Sequence, residues 1–246
     1  MTTPVSSPRR LPRQVRQKQM LDAAVEVFSA RGFHAASMDE IAERAGISKP
    51  LLYLYLGSKE ETFGACIARE ADRLVTTIGD AVGSAAVTGA AAGGAPGGVP
   101  GGVPDQAGRL WRGLTAFFEY VASHRSSWIV LYQQARTRGE AAEQLATARQ
   151  DIIGAVTDLV LDAVAARPPA GTTAADPALR RESAAIAHAL VGAADAMADW
   201  ALTVNDAPAA TARRLMNIVW TGLEHRAAGE RFRPPGTAQS AGFTSP

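Results

Sequence analysis

The feature that most constrains this chain is the stretch from Ser37 to Lys59, which reads SMDEIAERAGISKPLLYLYLGSK. It reads as two short helices meeting at a glycine. Ser37 can cap a free backbone amide while Glu40, three residues on, reaches back to complete the S-x-x-E capping box. Ile41, Ala42 and Ala45 give that helix one apolar side, and Gly46 follows at once. Glycine enters the left-handed region at little cost, so the helix is expected to stop and turn there. Ser48 can cap a second helix, Pro50 falls in its first turn, where a missing amide hydrogen costs nothing, and the helix runs to about Leu56.

Two helices joined by a glycine-bearing turn of a few residues form a helix-turn-helix, whose second member can lie in a DNA major groove. Ala42 suits the crossing point because only a small side chain fits there, with Ile41, Ile47 and Leu52 as the small core. Lys49, Pro50, Leu51, Tyr53 and Tyr55 are then left on the outside. The continuation LLYLYLGSKEETF, with a second capping box from Ser58 to Glu61, resembles the signature of the TetR family of bacterial transcriptional repressors. The resemblance covers about Val15 to Phe63; one departure is Leu56, where the family usually has Phe. It implies that Ser37, Ser48, Tyr53, Tyr55 and Lys59 touch the DNA backbone or its neighbourhood. By the same resemblance Lys49, Pro50 and Leu51 lie where base edges are met. Lysine can donate to guanine, and an apolar side chain can pack on a thymine methyl.

The net charge of +1 does not by itself suggest a nucleic-acid partner, but its distribution does. Arg9, Arg10, Arg13, Arg16 and Lys18 make the first 20 residues +5, while the remainder, with 20 basic against 24 acidic side chains, sums to −4. A basic arm leading into a helix-turn-helix can neutralise phosphates and make binding salt-dependent. Cys66 is the single cysteine, so an intrachain disulfide is excluded and a reducing, cytoplasmic setting is expected. Arg9-Arg10 has no apolar stretch behind it, which argues against a secretory or twin-arginine signal. The 24 uncharged residues from Ala81 to Pro104 are too rich in Gly and Pro, and too poor in large apolar groups, to read as a membrane span.

No stretch alternates with period two, so the chain is expected to be all-α with about nine helices. Residues 1–12 read as a disordered basic arm, 13–60 as the DNA-binding domain, 61–230 as a helical ligand-binding and dimerisation domain with a flexible Gly/Ala/Pro loop over 83–104, and 231–246 as a disordered tail. Leu21, Ala24, Val25 and Phe28 give the first helix one buried face, ended by Gly32. Asp176-Pro177 is a helix start and Asn205-Asp206 a break before the last helix.

Large aromatics concentrate in the middle helices. Trp111, Phe117, Phe118, Trp128 and Tyr132, with Trp200 from the penultimate helix, are candidates to line an apolar ligand cavity. His124, Gln133, His188, Asp195 and Asp199 are the candidate polar groups for it. A single reading head makes few contacts, so two-fold pairing on a palindromic operator is expected, with recognition helices about 34 Å apart. Small residues Ala189, Gly192, Ala193 and Ala196, with Val219, Trp220 and Leu223, are the candidate dimer face on the last two helices. The four histidines are scattered, and neither a nucleophile elbow nor a phosphate loop is present, so catalysis, metal and cofactors are not expected. These readings together predict a homodimeric repressor on double-stranded DNA, released by a largely apolar small molecule. The alternative is a helical small-molecule-binding or scaffold protein with a vestigial head, against which the basic arm, Lys49 and Lys59 argue.

Overall fold

In the computed structural model the described residues are 12–83, 106–130, 132, 139–165 and 176–227, and their regular structure is helical throughout. Nine helices follow one another among them: α1 (Arg13–Ala35), α2 (Met38–Arg44), α3 (Lys49–Leu56), α4 (Lys59–Gly83), α5 (Gln106–Ser123), α6 (Arg125–Ile129), α7 (Gly139–Ala165), α8 (Pro177–Val204) and α9 (Pro208–Ala227). The arm expected over 1–12, the loop over 83–104 and the tail over 231–246 lie outside the described residues, apart from Pro12 and Gly83 at their edges. Leu131 and Gln133 lie outside them as well.

The apolar stripe of α1 does what its spacing predicts. Met20, Leu21, Ala24, Val25, Val27 and Phe28 are buried together against Ile41 and Ala42 of α2, Leu52 and Leu56 of α3, and Phe63, Cys66 and Ile67 of α4. At Gly32 the backbone leaves helical geometry, with φ 73° and ψ 161°, and one further turn carries Phe33 back onto Phe63 at 5.0 Å between ring centroids. Ser37 caps α2 through the Glu40 amide at 3.1 Å. The predicted return bond from Glu40 is replaced, because its carboxylate takes the Arg31 guanidinium at 3.3 Å. Gly46, at φ 66°, ends α2 while the Ile47 amide reaches back to the Ala42 carbonyl at 3.0 Å. Ser48 stands at the start of α3 without the capping bond expected of it. The second box closes fully: the Ser58 amide donates to Glu61 at 2.7 Å and the Glu61 amide donates to the Ser58 hydroxyl at 3.1 Å.

A second core holds Leu74 of α4 with Leu110, Leu114, Phe117, Phe118 and Val121 of α5, Trp128 of α6, Leu159 and Val160 of α7, and Leu190, Ala198 and Leu215 from the last two helices. α4 therefore runs through both cores, its first half in one and its second half in the other. At α8 the predicted start is present, with Pro177 at its first position and the Ala178 amide donating to Asp176 at 2.8 Å. Asn205 closes α8 in the left-handed region at φ 55°. Among the described residues no helix is long and apolar enough to cross a membrane.

Candidate nucleic-acid interface and ligand cavity

The outer face of α3 is set by which of its eight residues the small core takes. Leu52 and Leu56 are buried, and Leu51 and Tyr55 pack partly against the same core. Lys49, Pro50, Tyr53 and Leu54 face out, Leu54 with 77% of its surface exposed. The sequence reading placed Leu51 and Tyr55 on the outside and missed Leu54. The helix KPLLYLYL is apolar all round, so periodicity alone does not separate its faces.

The cations of this head are held by local partners. Lys49 meets the Asp39 carboxylate at 2.8 Å, which raises the lysine pKa through that bond. Lys59 donates to the His34 carbonyl at 3.1 Å and sits 4.8 Å from the Phe33 ring centroid. It thus ties α4 to the end of α1. The Arg13 guanidinium lies 5.7 Å from the Tyr55 ring centroid, which places the base of the basic arm beside α3. Ser37 spends its hydroxyl on the α2 cap, while Ser48 and Tyr53 are exposed at the same surface.

A cavity of about 750 Å³ opens in the second core between α4, α5, α7 and α8. Its wall is mostly apolar: Leu74, Val75, Ile78 and Val82 from α4, Leu110, Leu114 and Phe117 from α5, Ile152, Val156 and Leu159 from α7, and Leu190 and Val191 from α8. α4 and α5 run antiparallel here, because Tyr120 meets Glu70 while Gly113 faces Val82 and Ile78. The α4 wall from Ala71 to Gly83 gives a length of about 18 Å at a rise of about 1.5 Å per residue. Arg109 lies at the Gly83 end, and Tyr132, Arg149 and Asp195 lie toward the head.

Of the aromatics expected to line a cavity, Phe117 and Tyr132 do so. Phe118 and Trp128 are core, Trp128 with none of its surface exposed and its indole N–H donating to Asp199 at 2.8 Å. Trp111 packs against the same core outside the cavity wall, and Trp200 is exposed on α8 near Arg214. His124 is exposed, stacked on Tyr120 in a separate surface hollow, and His188 is exposed on α8. Asp195 and Asp199 both reach the cavity. The Arg149 guanidinium contacts Asp195 and donates to the Tyr132 hydroxyl at 2.8 Å. Burial and the neighbouring Asp199 charge push the Asp195 carboxyl up to about 8, while Arg149 pulls the other way.

Sequence reasoning expected a cavity among these helices but misjudged much of its lining, because a large part of the wall is the absence of side chains. Gly79, Gly113, Ala148, Ala155, Gly192 and Ala194 make the room. Gly192 and Ala196, expected at the dimer face, both line it. Ala189 is exposed, Val219 and Trp220 pack partly on the second core, and the Leu223 side chain lies outside the described residues. Among the described residues of these two helices the exposed large apolar side chains are Trp200, Val204 and Ile218, the last 72% exposed.

Between head and cavity lies a junction that the sequence did not announce. Glu70 of α4 has none of its surface exposed and meets Arg69 at 2.6 Å, Arg73 at 3.1 Å and the Tyr120 hydroxyl at 3.1 Å. Burial opposes its ionisation, but the Ser127 hydroxyl, Arg69 and Arg73 overcome this and hold the carboxyl below its usual value. Arg69 also pairs with Asp22 of α1 at 2.8 Å. The short α6 straddles the two cores, with Trp128 in the second and Val130, just past its end, fully buried in the first.

Comparisons with known proteins agree with this layout. The family model for bacterial regulatory proteins of the tetR family matches residues 20–66, and that for the tetracyclin repressor-like C-terminal domain matches residues 106–222. The HTH-type transcriptional activator FasR of Mycolicibacterium smegmatis is 35% identical over 152 residues, covering 61% of this chain and 61% of FasR. The chain thus spans about three fifths of that relative. It matches 27% of the HTH-type transcriptional regulator RutR of Escherichia coli, at 40% identity over 57 residues, or 23% of this chain. The crystal structure of a TetR-like transcriptional regulator from Rhodococcus sp. RHA1 is 39% identical, with a TM-score of 0.65, covering 87% of this chain and 99% of that one. With both halves matched in order and this last relative covered almost end to end, the chain belongs to the tetR family of bacterial regulatory proteins.

Proposed function

We propose that the chain is a cytoplasmic, ligand-responsive transcriptional regulator that binds a palindromic operator on double-stranded DNA as a homodimer, and that a small molecule in the cavity releases it. In this reading Lys49, Pro50, Tyr53 and Leu54 meet the major groove, with Ser48 and the Arg13 end of the arm beside the phosphates. The dimer forms through α8 and α9, where Trp200, Val204 and Ile218 are exposed on the single chain. The protein has no catalytic role in this reading.

The observation that carries the proposal is the continuity from cavity to head. Arg149 at the cavity wall bonds Tyr132, Tyr132 stacks on Trp128 at 4.0 Å, and Val130 beyond it is buried in the head's own core. A ligand that displaces Arg149 or Tyr132 shifts a segment on which α1 rests. Release needs only that the ligand prefer the displaced arrangement. The shape and lining of the cavity suit an elongated, apolar molecule, with Arg109 at one end able to take a negative group. Repression is the simplest consequence of occupying an operator. FasR carries the name of an activator, and the same head serves either sign according to where the operator lies.

The test is selection of bound duplexes from a random pool by the full chain, followed by a salt series on the winner. A palindromic winner whose affinity falls steeply with salt, and weakens when a molecule that raises the protein's melting temperature is added, is the expected result. Weak enrichment without symmetry would instead support a ligand-binding protein with an idle head.

A further inference from the structure

We infer that Leu54 is a specificity-determining residue that reads thymine through its C5-methyl group, so that the α3 face selects bases by apolar contact more than by charge. The inference rests on the DNA-binding reading above and adds to it the chemistry of the contact.

Among the described residues only six large apolar side chains are strongly exposed, and two of them, Tyr53 and Leu54, stand next to each other on the eight residues of α3. Isolated exposed leucines are ordinary and carry no meaning. This one is not isolated. Pro50 lies four residues before it and is exposed, so Pro50, Tyr53 and Leu54 form one patch at the spacing that brings helical side chains side by side. The core does not need Leu54, because Leu52 and Leu56 fill it and Leu51 and Tyr55 close its edge.

The charged alternatives at this surface are already engaged. Lys49 is the only charged residue of α3, and Asp39 faces it at 2.8 Å, so the cation brings a carboxylate with it. Lys59 turns back onto His34 and Phe33. What α3 offers a groove without competition is the Tyr53 hydroxyl and an apolar surface. In the major groove the one apolar feature that marks a base is the thymine methyl. Leu54, 77% exposed against 43% for Tyr53, is the side chain of the patch with the most surface to cover it.

The experiment uses the operator duplex recovered by the full chain. Each thymine is replaced in turn by deoxyuridine, which removes the methyl and leaves every hydrogen-bonding group and phosphate in place. Kd is read by fluorescence anisotropy at one fixed salt concentration, for the native protein and for Leu54→Ala. At one symmetry-related thymine pair the native protein is expected to lose about fourfold per methyl, the fold-change of one buried methyl-sized group. Leu54→Ala is expected to bind the thymine operator more weakly, yet to show no further loss at that pair, since the contact is already gone. Because Leu54 is exposed, the variant is expected to keep the native melting temperature, which separates lost contact from lost fold. Equal sensitivity of both proteins to every uracil substitution overturns the assignment, as does a half-site without thymine. If no duplex is enriched at all, the DNA-binding reading fails first and takes the inference with it.

Discussion

Replacing Glu70 by alanine tests how the two cores are joined, and its cost can be worked from the contacts. Removing one partner of a buried ion pair costs roughly 3–5 kcal/mol, because an uncompensated charge stays in a low-dielectric site. Here the loss falls toward the low end. Arg69 keeps Asp22 at 2.8 Å, Arg73 is about a third exposed and can turn to water, and the Tyr120 hydroxyl can still donate to the Glu70 backbone carbonyl at 3.3 Å. The expected destabilisation is about 3 kcal/mol at pH 7. Glu70→Gln keeps the shape and one acceptor, so it is expected to lose about half as much. The assay is urea unfolding followed by tryptophan fluorescence, with the midpoint lowered and the slope unchanged. The pH dependence has a definite sign. The folded carboxyl lies below its ordinary value of 4.5, so its contribution is present in full above that value and is lost as pH falls through the folded one. The gap between native protein and Glu70→Ala should therefore narrow on acidification below pH 4.5. A gap under about 1 kcal/mol at pH 7, or one that stays constant into acid, would refute the assignment of Glu70 as an ionised tie between α4, α5 and α6.

Two further outcomes follow from local geometry. Gly57 sits at φ 72°, and a Cβ there would run into the Glu61 carboxylate that caps α4, so Gly57→Ala is expected to cost about 2 kcal/mol in thermal or urea unfolding and to weaken DNA binding with it. Burial pushes the Cys66 thiol up to about 12, so a thiol-specific chromogenic disulfide should leave the native protein unlabelled at pH 8 and react with one equivalent after addition of urea; prompt labelling of the folded protein would contradict the packing of Cys66 against α1.

The helices of this chain were legible where burial is one-sided. In α1 the residues at three- and four-residue spacing are those that end up inside, and Asp176-Pro177 and Ser58-Glu61 form the caps their spacing predicts. Legibility failed where neighbours, not spacing, decide. α3 is apolar on nearly every side, so only the structure tells that Leu51 is partly covered by the core and Leu54 is not. The resemblance leads one to expect Lys59 at the DNA backbone, and spacing gives no hint that the carbonyl it reaches belongs to a residue 25 positions earlier. The cavity was the hardest to read, since aromatic residues draw the eye and small ones make the space. Trp128 fills the core, while Gly79, Gly113 and Gly192 line the room beside it.

What this arrangement adds to a reading head and a cavity is the manner of their attachment. A helix shared by two cores can bend between them, and α4 alone would leave the head free to swing at its midpoint. α6 is one tie against that freedom, because Trp128 and Val130 are each fully buried, one in either core, two residues apart, and Leu145 and Ala148 of α7 pack on the head's core as another. Well-packed interiors respond to a displaced side chain by repacking more readily than by stretching. Moving Trp128 therefore moves Val130, and Val130 lies against α1. The Asp199 bond holds the Trp128 indole from the cavity side, and the Ser127 hydroxyl holds the same segment to Glu70. Cavity and head thus share α4 and α7, whose Ala71, Leu145 and Ala148 touch both, and α6 with the residue just beyond it joins the two cores beside them.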